Sequence, residues 1–163
     1  MTDFERLLAV LSEAGVEFIL VGGLAANAHG AIRVTRDIDV VYSRSRENLT
    51  RLERALAPWA PRLRGAPPGL PFHLDAPTLA AGLNFTLSTD LGDLDLLGEI
   101  AGGGSYEKLT AHARPIELLG SRLLCLDLET LIAVKRAAGR PRDLETVAEL
   151  EALKEERDAR ERS

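Results

Sequence analysis

VGGLAANAHGAIRVTRDIDVVY, running from Val21 to Tyr42, is the stretch on which the fold turns. A buried-type apolar run, Val16 to Val21 broken only by Glu17, ends at the glycine pair Gly22-Gly23, and the Ala-rich segment that follows suits a short helix stopped at Gly30. The stretch closes on Asp37-Ile38-Asp39-Val40-Val41, where acids and apolar residues alternate with the period of a strand. Both carboxylates therefore leave one face while Ile38 and Val40 enter the core. At a rise of roughly 3.3 Å per residue the two anions stand about 6 to 7 Å apart and repel each other, which calls for a cation between them.

A divalent ion suits that place, because hard cations such as Mg2+ or Mn2+ take carboxylate oxygens and share the rest of their shell with phosphate and water. The glycine pair supplies the complementary half. Without a Cβ, the backbone at Gly22 and Gly23 can approach a phosphate, and the N–H groups of the helix start point toward it. Metal at one end and phosphate at the other describe a site for a nucleoside triphosphate.

The pattern Gly22-Gly23, thirteen residues, then Asp37-Ile38-Asp39 resembles the signature of the polymerase-beta-type nucleotidyltransferase superfamily. The words VGGLAANAHG, RVTRDIDVV and GRPRDLETVAELEAL resemble, more narrowly, small members related to the AbiEii-type toxin group, over about Val16 to Leu153. The resemblance implies an α/β (α+β) fold: a mixed, short twisted β-sheet flanked by helices, a minimal nucleotidyltransferase fold with C-terminal helices. It also implies a third carboxylate on a neighbouring strand. Asp95 in Leu94-Asp95-Leu96-Leu97 is the choice for that role, with Asp93 of the same parity as the alternative. Catalysis and metal binding are then expected of Asp37, Asp39 and Asp95, and nucleotide binding of Gly22, Gly23, Arg33, Thr35, Lys135 and Asp143. The last two match by position a lysine and a later acid that related toxins place near the nucleotide. Expected partners are the NTP, an acceptor such as a tRNA or other RNA end, a protein or an antibiotic, and a cognate antitoxin or toxin. A homodimer through the apolar C-terminal helices is a further expectation. A nucleotide-binding subunit without turnover, or a glycosyltransferase using its own DxD, are the competing classes.

The 163 residues suffice for a single core. A net charge of −5 argues against a protein that coats nucleic acid through bulk positive charge, so an RNA acceptor needs a local patch, for which Arg33, Arg36, Arg44, Arg46 and Arg51 are candidates. Cys125 is the only cysteine, which rules out an intramolecular disulfide and suits a reducing compartment. No apolar run approaches the roughly 18 residues of a membrane span and no signal pattern opens the chain, so a cytoplasmic location is expected.

Along the chain, Thr2 to Glu5 reads as a capping box for a helix on Phe4, Leu7, Leu8 and Leu11. A second amphipathic helix covers Glu47 to Leu56. Pro58, Pro61, Pro67, Pro68, Pro71 and Pro77 then predict an irregular crossing over 58–77. Asn84–Ser88 and Asp93–Leu97 form a hairpin around Thr89-Asp90-Leu91-Gly92, and Ile116–Leu119 and Arg122–Leu126 a second strand pair. Gly102-Gly103-Gly104 is expected as a loop. Asp127 caps a helix from Leu128 to Ala138, and a last helix from about Arg142 uses Leu144, Val147, Leu150 and Leu153 as its inner stripe. The organisation expected is a core over residues 1–126 and a helical segment over 127–163 packed on it, with a charged, frayed tail from about residue 154.

Overall fold

The structure, a computed structural model, describes residues 1–67 and 69–163; Pro68, part of the expected crossing, lies outside them. Seven helices and nine strands are seen among the described residues: α1 Phe4–Glu13, β1 Phe18–Val21, α2 Gly22–Ala28, β2 Asp37–Tyr42, α3 Arg46–Leu56, β3 Arg62–Leu63, α4 Ala76–Ala81, β4 Phe85–Thr89, β5 Gly92–Leu97, β6 Glu99–Ile100, β7 Gly104–Ser105, α5 Tyr106–Leu109, β8 Ala113–Leu118, β9 Ser121–Leu126, α6 Leu128–Ala138 and α7 Pro141–Arg162. They build the mixed α/β architecture expected, on a seven-stranded sheet of order β3-β4-β5-β2-β1-β9-β8. β6 and β7 pair separately, so the glycine-rich segment 102–104 closes a small hairpin as well as a loop.

The acidic strand sits at the sheet's centre. β2 runs antiparallel to β1, with Val21 opposite Asp39, and parallel to β5, with Asp37 opposite Asp93 and Asp39 opposite Asp95. Partnered residues on neighbouring strands project to one side, so four acids form a two-by-two block on one face. The other parity is core: Ile38, Val40, Leu94 and Leu96 are fully buried, as are Ile19 and Leu20 of β1. α2 packs on β1 and β2 and touches α6, which carries α7, whereas α1 packs on β9 and α3. None of the helices, among the described residues, is long and apolar enough to cross a membrane.

Four expectations are corrected. The cap of α1 is Asp3, whose carboxylate accepts from Arg6 N. Thr2 is recruited elsewhere, its hydroxyl donating to the Arg36 carbonyl and accepting from Asp93 N, which ties the N-terminus to the acidic strands. The crossing after α3, expected to be irregular over 58–77, contains a two-residue edge strand, β3, paired with β4, and already turns helical at Ala76, where Pro77 sits in the first turn of α4. On α7 the inner face is Asp143, Thr146, Val147 and Leu150, while Leu144 is 49% exposed. Finally, the charged tail stays helical to Arg162, braced by Arg157 on Glu129 and Asp158 and by the Glu156–Arg160 pair one turn apart.

Candidate active site

The sharp turn from β1 into α2 places its glycines against the acids. Gly22 has φ +73°, a left-handed value that favours glycine, and a Cβ there would overlap the Asp39 carboxylate. Gly23 packs under the Thr35 side chain, less tightly than Gly22 against Asp39, and the Thr35 hydroxyl donates to the Asp37 carbonyl. The pair therefore does more than leave backbone open to a phosphate: Gly22 makes the room into which Asp39 folds.

Carboxylate oxygens of Asp37, Asp39 and Asp95 all lie within 4.8 Å of one another. Such crowding raises proton affinity. Burial, then the Asp37 charge, then a hydrogen bond to and the charge of Asp95 push Asp39 up to about 8. Burial and the Asp95 charge raise Asp37 as well, against the pull of Arg64. Asp93 stands outside this cluster. It accepts from Ser88 Oγ at 3.0 Å and faces Arg64.

Arg64 is the unexpected member. Its backbone N donates to Thr86 O beside β4, and its side chain crosses that strand to reach the acids. Nη2 donates to Asp95 Oδ1 at 2.8 Å and to Leu87 O at 2.6 Å; Nη1 is 3.7 Å from Asp37 Oδ2, and Nε is 3.4 Å from Asp93 Oδ2 without forming a hydrogen bond. One guanidinium thus touches three of the four acids. No periodicity marks it in the sequence, because it follows a two-residue strand inside a proline-rich crossing.

The cluster forms one wall of a cleft of about 720 Å3, within the range that holds a drug-sized ligand. The facing wall comes from α6 and α7. Lys135 reaches in with its side chain 14% exposed, 3.9 Å from Asp143, which is buried and bonded by Arg140 at 2.6 Å. Burial lowers the Lys135 pKa, opposed by the charges of Asp143 and Asp39. Burial works to raise Asp143, but the hydrogen bond and charge of Arg140 prevail and hold it below the usual carboxylate range. Arg140 and Arg142 line this wall too and were missed in the sequence, although they flank Pro141 in the very words that pointed to Asp143.

Arg33 lines the cleft but is held by Glu145 and Glu149 of α7, so it clamps the 31–36 loop to that helix. Of the five arginines expected as one basic patch, only Arg33 and Arg36 reach the cleft. Arg44 is spent on Tyr42 Oη and the carbonyls of Leu79 and Ala80, and Arg51 pairs with Glu17.

The seven-stranded mixed sheet, with helices closing the cleft at its acidic strands, has a nucleotidyltransferase-like fold. Solved structures of that fold resemble the chain from end to end. LnuA, a lincosamide antibiotic adenylyltransferase with lincomycin bound, superposes with a TM-score of 0.61 at 14% identity, over 94% of this chain and 98% of that one. A Thermotoga maritima protein assigned as a nucleotidyltransferase gives 0.57 at 18% identity, over 91% and 94%. ANT(2")-Ia, in complex with adenylyl-2"-tobramycin, gives 0.53 at 15% identity, over 96% and 95%. Identities this low carry the fold alone. By sequence, no protein-family model and no curated protein matches the chain.

Proposed function

We propose that the protein transfers a nucleoside monophosphate from an NTP to an acceptor hydroxyl and releases pyrophosphate, at Asp37, Asp39 and Asp95. One observation carries this reading: three carboxylates from adjacent strands converge within 4.8 Å beside a glycine turn, across a cleft from Lys135, Arg140 and Arg142. The donor set fits a divalent ion, being all oxygen and anionic, and a cationic guanidinium already stands among its members. Mg2+ held by Asp37, Asp39 and Asp95 would lower the pKa of the acceptor hydroxyl and offset charge on the triphosphate.

The chain's own residues do the rest. Asp95 takes the hydroxyl proton as the acceptor oxygen bonds to the α-phosphorus and the α–β anhydride bond breaks. Pyrophosphate leaves with that electron pair, its charge met by Lys135 and Arg142 on the opposite wall. Asp143 aims Lys135 and Arg140 into the cleft, and Gly23 and Thr35 form the floor beneath the nucleotide. The AbiEii-type resemblance puts an RNA end, tRNA included, first among acceptors, with a cognate protein partner as in a toxin–antitoxin pair. Small hydroxylated compounds come second.

The rival reading is a nucleotide-binding subunit without turnover, and Arg64 on the acids is the observation that favours it. Incubation with α-labelled NTPs, Mg2+ and separate pools of tRNA, protein and small hydroxylated compounds discriminates. Label passing to one pool, with release of pyrophosphate, is the expected result. Nucleotide binding without label transfer to any pool supports the rival.

A further inference from the structure

We propose that Arg64 is a built-in competitor of the divalent ion: it neutralises Asp37 and Asp95 before loading, is displaced from them when the ion arrives, and is retained by Asp93. This rests on the metal reading above and assigns a role to the one acid of the block that stands outside the cluster.

Mg2+ binds carboxylate oxygens at about 2.0 to 2.1 Å. An ion on Asp95 Oδ1 would lie within about 5 Å of Arg64 Nη2, which is 2.8 Å from the same oxygen. With Nη1 also turned toward Asp37, two of the three metal-binding acids are engaged by the same guanidinium. The ion and Arg64 in its present pose therefore compete for the same anions at close range.

Displacement needs side-chain rotation only. The backbone of Arg64 is fixed to Thr86, so its Cα stays at the sheet edge. The present pose is also incompletely satisfied, since Nε is buried without a hydrogen bond. Asp93 offers that nitrogen a partner 3.4 Å away and is itself held by Ser88, not by the cluster. Rotation toward Asp93 would complete the Nε bond as Nη1 and Nη2 release their acids.

Competition and support predict opposite changes in affinity. Mn2+ binding to the full chain, followed by the loss of free-ion paramagnetic resonance signal, is measured for wild type, Arg64→Gln and Asp93→Asn. We expect Arg64→Gln to bind Mn2+ about tenfold more tightly, the size of one partly buried ion pair removed, and Asp93→Asn to bind it several-fold more weakly, because displaced Arg64 has lost its second partner. Arg64→Gln binding no tighter than wild type overturns the proposal while leaving the metal site standing. Absence of binding by wild type removes the metal reading and this proposal together. If Arg64→Gln does not fold, the wild-type Arg64 Nε–Hε resonance decides: it shifts in step with Mg2+ saturation if the side chain moves, and an unmoved resonance refutes the displacement.

Discussion

Asp39→Asn should remove a pH dependence of stability that the wild-type acid cluster creates. In the unfolded chain Asp39 titrates near 3.8, whereas in the fold burial, the Asp37 charge and the bond to Asp95 push it up to about 8. Between these values the folded state keeps a proton that the unfolded state has released. Stability contributed by that proton is whole below 3.8, declines as pH rises through the window, and is gone above about 8. At about 1.4 kcal/mol per pH unit the ceiling is about 5 to 6 kcal/mol. Electrostatic coupling of Asp39 to its neighbours reduces the realised loss to the order of a few kcal/mol. Asparagine cannot ionise and keeps a donor for Asp95. Urea unfolding in EDTA from pH 5 to 9 should therefore show wild type weakening with pH relative to the variant, and the variant the more stable at pH 8 to 9. Added Mg2+ should restore wild type there and leave Asp39→Asn nearly unchanged, because bound ion stabilises only a site that holds it. Parallel pH profiles, or equal stabilisation of both proteins by Mg2+, would refute the reasoning.

Gly22→Ala should cost about 1 to 3 kcal/mol in urea unfolding and abolish label transfer, since it strains a left-handed position and drives a methyl group into Asp39. Lys135→Met should keep the fold, as judged by circular dichroism, while lowering kcat/KM for the NTP by about 100-fold through loss of a cation that lines the cleft, where the proposed reaction sets the pyrophosphate. Asp143→Ala, measured by the same unfolding assay, should destabilise by about 3 kcal/mol because it leaves the largely buried Lys135 without its ion-pair partner. Retained stability in that variant would mean that Asp143 does not hold the cleft wall.

The central architecture was legible because each of its signals is local. Glycines at a strand end, two acids at strand spacing and a third acid of matching parity in the next hairpin are all short-range patterns, and register then brings Asp39 opposite Asp95. Arg64 was invisible for the opposite reason. It reaches Asp95 across β4 from a crossing with no repeat to read, and only the pairing of β3 aims it. The phase of α7 was misread because polar residues decide it: Lys135 and Arg140 draw Asp143 inward, which turns Leu144 out against its hydropathy. The tail's helicity was missed since charge alternation, not an apolar stripe, supports it.

The most direct test is a crystal of the full chain soaked with Mn2+ and a non-hydrolysable NTP, examined by anomalous scattering. Manganese peaks coordinated by Asp37, Asp39 and Asp95, with the triphosphate facing Lys135 and Arg142, are the expected result. Bound nucleotide with no manganese among those acids, and Arg64 still on Asp95, would contradict it.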